Sequence, residues 1–326
     1  MTATPSIPSP RPYLITGGAG FIGSHLADAL LARGQAVRIL DDLSTGKRDN
    51  LDPRCDLRIG DVADPTAVRQ AMDGVVGCFH LAAIASVARS NEDWIGTHRV
   101  NATGTIAVLD AARRAGPEGR AVPVAYASSA AVYGDQGEGP VREDGVLLRP
   151  RTAYGADKLA SELHARVAAE VHGVPTIGFR FFNVYGPRQD PSSPYSGVIS
   201  LFAARVATGQ AISVHGDGRQ TRDFVFVADV VQHLLAGMAL LERAAAPQAY
   251  LLNVCTGRAT AIIDLAGLVA AAFGQGQPGL QHGPARTGDI RASLGDPAAA
   301  IAALGCAAQT PLETGLAALA AAADMG

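Results

Sequence analysis

Tyr13-Leu14-Ile15-Thr16-Gly17-Gly18-Ala19-Gly20-Phe21-Ile22-Gly23 is the stretch that decides the fold of this 326-residue chain. Its first four residues read as a buried strand that runs without a spacer into glycines three residues apart. A helix follows to about Arg33, with Gly34 as its stop signal. Gly-x-x-Gly-x-x-Gly alone is a weak signal, but between a strand and a helix it marks a dinucleotide site. Glycine lets the backbone approach a pyrophosphate, which then rests on the positive helix N-terminus. Gly17, Gly20, Phe21, Ile22 and Gly23 are therefore candidate contacts. The second strand, 36–40, ends in Asp41-Asp42, and Asp41 lies 18 residues beyond Gly23. An acid there would bond both adenosine ribose hydroxyls and repel a 2′-phosphate, favouring NAD over NADP. Lys47 and Arg48 nearby keep NADP as the lesser alternative. Asp61-Val62, at the end of a third strand, is placed to meet the adenine. Leu81-Ala82-Ala83 ends a fourth with small residues where backbone must pass the cofactor.

Strands are expected at 57–59, 75–81, 122–127 and 176–181, with helices at 65–72, 94–115 and 154–172 between them. None of these strands alternates strictly between apolar and polar residues, which implies a parallel sheet covered on both faces. The class is α/β, a doubly wound Rossmann domain. After Phe182 the rhythm breaks. Residues 185–197 read as a loop, 212–214 and 222–225 as short strands, 227–241 as a helix and 251–254 as a last strand of the main sheet. The expected division is an NAD-binding domain of 12–182 with 226–255, and a smaller α/β substrate-binding domain of 183–225 with 256–326.

Apolar residues at 48% and charged ones at 17% describe a soluble globular protein. A net charge of −3 gives no reason to expect nucleic acid or an anionic membrane as partner. Residues 1–12 carry no apolar h-region, so they read as a frayed terminus and not a signal peptide. No apolar run approaches membrane-spanning length. Cys55, Cys78, Cys255 and Cys306 lie far apart, and the eight histidines show no paired-ligand spacing. A cytoplasmic enzyme without a metal is the expected class.

Only two residues, Lys47 and Lys158, are lysine among 27 basic side chains. Such a composition would supply arginine wherever a positive surface charge sufficed. Lys158 follows Tyr154 by four residues, so the two share one helix face. An ammonium beside a phenol favours the phenolate and lowers its pKa from about 10. That makes a general base for an alcohol, with Ser129, 25 residues upstream, as hydrogen-bonding partner.

Joined in order, these blocks resemble the extended short-chain dehydrogenase/reductases, and within them the nucleotide-sugar 4-epimerases of the UDP-glucose/UDP-N-acetylglucosamine branch. The likeness runs from Tyr13 to about Leu319. It rests on 16–25, on Ser128-Ser129-Ala130-Ala131-Val132-Tyr133-Gly134, on Tyr154-Gly155-Ala156-Asp157-Lys158, and on 180–191, 216–224 and 288–293. The resemblance implies Ser129, Tyr154 and Lys158 as the catalytic trio. It implies Asn183 on the sugar diphosphate and Arg222 and Arg286 as phosphate clamps, suited by their planar forks. Ser86, Arg89 and Gln189 would bond the hexose or its acetamido group. A homodimer through the helices at 94–115 and 154–172 is implied as well. The chain departs from the pattern at Ala85, where some members carry a lysine near the pyrophosphate, and at Cys255, where glycine is common.

The implied reaction begins with Tyr154 removing the 4-hydroxyl proton while a hydride leaves C4. The 4-keto sugar then swings about its diphosphate and receives the hydride on its other face. A 4,6-dehydratase starts identically but supplies an Asp-Glu pair just after the catalytic serine. Here Ala130 and Ala131 stand in those places, and alanine transfers no proton. A UDP-glucuronate 4-epimerase stays open. A non-catalytic NAD-sensing protein on this fold would typically lack the Tyr or the Lys. Ser293 matches the position beside the sugar C2 substituent, and a residue that small implies room for an acetamido group.

Overall fold

The computed structural model describes residues 11–190, 197–285 and 289–323. In chain order the strands are β1 (Tyr13–Thr16), β2 (Val37–Asp41), β3 (Asp56–Ile59), β4 (Gly77–His80), β5 (Val124–Ser129), β6 (Thr176–Phe181), β7 (Asn183–Tyr185), β8 (Ile212–His215), β9 (Thr221–Arg222), β10 (Phe224–Phe226), β11 (Ala249–Val254), β12 (Thr260–Ala261), β13 (Leu280–Gly283) and β14 (Ala292–Ser293). Seven of them form one sheet in the order β11-β6-β5-β4-β1-β2-β3, every neighbouring pair parallel. The order reverses between β1 and β4, and a crevice opens at the carboxyl ends of the strands flanking such a reversal.

The apolar runs follow from burial on both faces. Leu14 and Ile15 are adjacent and both fully buried. Ile15 packs in one core with Phe79, Ala125 and Phe179, while Leu14 packs in the other with Cys78, Val124 and Tyr126. A third core gathers around Tyr185, Phe202, Val214, Phe224, Leu265 and Leu316.

The covering helices are α1 (Phe21–Ala32), α2 (Pro65–Met72), α3 (Val87–Glu92), α4 (Trp94–His98), α5 (Gly104–Ala112), α6 (Ala153–His172), α7 (Val198–Ala207), α8 (Val227–Arg243), α9 (Ile262–Ala272), α10 (Ala298–Leu304) and α11 (Leu312–Ala323). Among the described residues, none is long and apolar enough to cross a membrane. Helix α6 is bounded as its sequence dictates: the Thr152 hydroxyl accepts Gly155 N–H at 3.0 Å, and Gly173 closes it with φ of 69°.

Three expectations change in detail. The helix expected at 94–115 is interrupted by a π turn, Arg99–Thr103. Within it Asn101 bonds both the N–H and the carbonyl of Ile84, at 2.8 and 3.1 Å, a pairing that ties the cleft-lining loop to this turn. The strand expected at 222–225 is split at Asp223. That buried carboxylate accepts the N–H groups of Thr256 and Gly257, at 2.8 and 2.9 Å, and draws the chain inward. Finally, Ala300 of α10 is buried in a main-sheet core, so this helix packs with the larger unit and not the smaller one.

Candidate active site

A cleft of about 620 Å³ runs along the carboxyl ends of β1, β2, β4 and β5. Gly17, Gly20, Phe21, Ile22 and Gly23 line one side, and Asp41, Asp42, Asp61, Val62, Leu81, Ala82 and Ala83 continue it. A Cβ on Gly17 would lie 2.6 Å from Ala82 N, because the loop passes directly over the end of β4. Gly20 caps α1 with no side chain to occupy the first amides, and Phe21, Ile22 and Gly23 of that helix end line the cleft. Asp41 accepts Ala19 N at 3.0 Å and Leu43 N at 2.9 Å, one bond per oxygen. A carboxylate has about four lone-pair sites, so each oxygen retains capacity for a ribose hydroxyl. A cradle closed to any Cβ, a free helix N-terminus and an acid at the second strand's end fit NAD. Asp61 is partly engaged elsewhere, taking Arg99 Nη2 at 2.6 Å.

Ser129, Tyr154 and Lys158 line the same cleft. Ser129 ends β5 and accepts Ala131 N at 3.1 Å, Tyr154 and Lys158 lie in the first turns of α6, and the Ser129 side chain acts on the Tyr154 phenol to lower its pKa. Lys158 Nζ stands 5.8 Å from the Tyr154 ring centroid and donates to the Ala127 carbonyl at 2.7 Å. Burial depresses the Lys158 pKa to about 8, opposed by the charges of Asp157 and Glu162. The expected lowering of the tyrosine pKa is not met in the protein alone. Burial pushes the Tyr154 phenol up, and the Ser129 side chain offsets this only in part. Loss of hydration penalises the phenolate first, and the ammonium is turned toward a backbone carbonyl.

The residues expected on the substrate divide into three groups. Ser86, Arg89, Asn183 and Gln189 line the cleft. Ser86 also caps α3 by accepting Arg89 N at 3.1 Å, and Gln189 is held by the Ser200 hydroxyl at 2.6 Å. Arg222 and Ser293 pair with each other between β9 and β14, away from the cleft's lining. Arg222 bonds Asp289 and the Thr221 carbonyl, while Ser293 lines a smaller recess with Ala130, Tyr133 and Phe182. Phe182 lines both hollows. Arg286 lies outside the described residues.

Several cleft residues were not singled out from the sequence. Arg188 adopts φ of 67° and pairs with Asp28 of α1 at 2.8 Å. Next to it the Pro187 carbonyl meets His25 Nε2 at 3.0 Å, so the segment after β7 is strapped to the cofactor-side helix. Lys47, considered above only for cofactor choice, pairs across the cleft with Asp190 at 3.4 Å. The signal for these was the run Gly186-Pro187-Arg188 after a strand, which marks a turn but not what it faces.

A family model described as the NAD dependent epimerase/dehydratase family matches residues 13–254. A UDP-glucose 4-epimerase of Mycolicibacterium smegmatis is 36% identical, over 93% of this chain and 96% of that protein. The solved UDP-glucose 4-epimerase of Thermotoga maritima with UDP-glucose superposes at a TM-score of 0.88, with 30% identity over 96% of this chain and 99% of that one. A UDP-N-acetylglucosamine 4-epimerase from Methanobrevibacter ruminantium, in complex with UDP-N-acetylmuramic acid, also gives 0.88, with 28% identity over 97% and 99% of the two chains.

Proposed function

Because the chain belongs to the NAD dependent epimerase/dehydratase family and is an NAD-dependent UDP-sugar epimerase, we propose that it inverts C4 of UDP-hexoses. The substrates proposed are UDP-glucose with UDP-galactose, and UDP-N-acetylglucosamine with its C4 epimer. The observation that carries this reading is that Ser129, Tyr154 and a buried Lys158 line one cleft with the glycine-rich loop. Held by the glycine-rich loop and Asp41, NAD would supply the acceptor and donor for the C4 hydride. Tyr154 takes the proton of the 4-hydroxyl, and Ser129 holds the phenol and the substrate oxygen in line. Lys158, itself buried, supplies the positive charge that a phenolate needs. Asn183 and Gln189 would hold the diphosphate and sugar, with Arg222 and Arg286 on the phosphates. Arg222 must then exchange its Asp289 partner for phosphate.

Ala130 and Ala131 follow Ser129, so no side-chain acid or base adjoins it for elimination at C6. One observation favours UDP-glucuronate as an alternative substrate: the guanidinium of Arg89 lines the cleft and offers a partner for a C6 carboxylate. The decisive experiment is incubation of the purified protein, without added NAD, with UDP-galactose, UDP-N-acetylgalactosamine and UDP-glucuronate. Formation of C4 epimers, followed by NMR, supports the reading; inertness toward all three sinks it. A homodimer is part of the proposal. Trp94 and Ile95 of α4 and Leu163, Val167 and Val171 of α6 are 45–85% exposed, an apolar surface suited to a second copy. The four cysteines are all unpaired thiols, as a reducing cytoplasm would keep them.

A further inference from the structure

Glu162 takes no part in the chemistry above, yet it is buried on α6 one turn beyond Lys158. Both its oxygens are engaged. Oε1 accepts the Ser128 hydroxyl at 2.5 Å and Arg180 Nε at 2.9 Å, and Oε2 accepts Arg180 Nη2 at 2.8 Å. Each partner is attached to the catalytic site. Ser128 stands between Ala127, whose carbonyl takes Lys158 Nζ, and Ser129, which lines the cleft with Tyr154. The Arg180 guanidinium lies 4.6 Å from the ring centroid of Tyr133, just after the turn that Ser129 opens. Tyr133 in turn donates to Asn253 of β11 at 2.6 Å.

A buried ion pair is a poor stabiliser compared with apolar side chains of similar volume. Its location beneath the catalytic strand end therefore points to a role in the site. We propose that Glu162 is a positioning residue: clamped by Arg180 and Ser128, it holds Lys158 as an ammonium and fixes the strand end that presents Ala127 to Lys158 and Ser129 to Tyr154. This rests on the epimerase reading for the role of Lys158, but its test does not need turnover.

The groups facing Lys158 are few. On its own helix they are Tyr154, Asp157 and Glu162, and from β4 comes His80; Tyr126 of β5 and Arg180 of β6 stand by Glu162. His80 is neutral, since burial depresses it to about 3, and Tyr126 is neutral because burial raises it. Asp157 is paired with His98 at 2.7 Å. Glu162 and Asp157 are thus the anions that oppose the loss of the lysine's proton.

The chain's two lysines make the test direct. Protein labelled with ε-¹³C lysine gives two signals, assigned through Lys47→Arg, and each is titrated by NMR. Glu162→Gln should lower the Lys158 midpoint by about one pH unit or more, because an anion one turn away is lost and Arg180 is left uncompensated. Glu162→Gln/Arg180→Gln removes both charges and should bring the midpoint back toward the wild-type value. This neutral pair also serves as the readout if the single variant does not fold: its midpoint should still fall short of wild type. A folded variant whose Lys158 midpoint matches wild type overturns the proposal, whatever the enzyme's substrate. A shifted midpoint in a protein inert toward UDP-sugars supports it while sinking the proposed function.

Discussion

Replacing Gly17 by alanine tests the link between the glycine-rich loop and the cofactor cleft. Two costs are separable. Gly17 has φ of 70°, a left-handed conformation that costs a side-chain-bearing residue about 1–2 kcal/mol. The new Cβ would also stand 2.6 Å from Ala82 N, 2.7 Å from Ala82 Cα and 2.9 Å from Leu81 C. Comfortable carbon contacts are roughly 3.5–4.0 Å, so the loop and the end of β4 must part by about 1 Å. All three atoms are backbone, and Leu81 N is bonded to the Thr16 carbonyl at 3.0 Å, so no side chain can swing aside. Overpacking of this kind costs about 1–3 kcal/mol more. Gly34→Ala supplies the control: Gly34 has φ of 72° but nothing within 4 Å of a new Cβ, so it carries the conformational cost alone. Denaturant unfolding should show Gly17→Ala losing about 2–5 kcal/mol and Gly34→Ala about 1–2 kcal/mol. Calorimetric NAD titration should show at least tenfold weaker binding for Gly17→Ala alone, because Leu81 and Ala82 are themselves cleft walls. Equal stability losses in the two variants, with NAD affinity unchanged in both, would refute the tight-loop argument.

Ser129→Ala removes the side chain that lowers the Tyr154 pKa, so burial acts unopposed and the pKa rises. Since the base is the phenolate, activity is present above that pKa, and the acid limb of the kcat/KM profile should move to higher pH. An unmoved limb would show that Ser129 does not tune the tyrosine. Ser293→Tyr should suppress turnover of UDP-N-acetylglucosamine while sparing UDP-glucose, with equal effects on both sugars counting against this position as the gate. Leu163→Glu, at a side chain 56% exposed, should convert a dimer to a monomer in light scattering with little change in the single-chain fold. A wild-type protein already monomeric at micromolar concentration removes the dimer proposal.

The first half of the fold was legible because its signals are local. A four-residue apolar run, three glycines and a helix act within about a dozen positions, and the same chemistry recurs wherever they meet. Tyr154 and Lys158 were legible for a similar reason, since the helical repeat alone puts them on one face. The smaller unit was harder because its pairings are distant. Ile212 aligns with Leu280 between β8 and β13, and Arg222 reaches Asp289, contacts that no window of sequence contains.

The sequence by itself determined the doubly wound sheet, the cofactor loop and the tyrosine–lysine face, because backbone geometry and periodicity are properties of neighbouring residues. Tertiary structure decided what each side chain experiences. Ser128 and Ser129 are adjacent and chemically identical, yet one donates to buried Glu162 and the other lines the cleft beside Tyr154, because successive residues of a strand point to opposite faces. The direction of the Tyr154 pKa was likewise fixed by the partial burial of the phenol, an effect that depends on the elements packed around it.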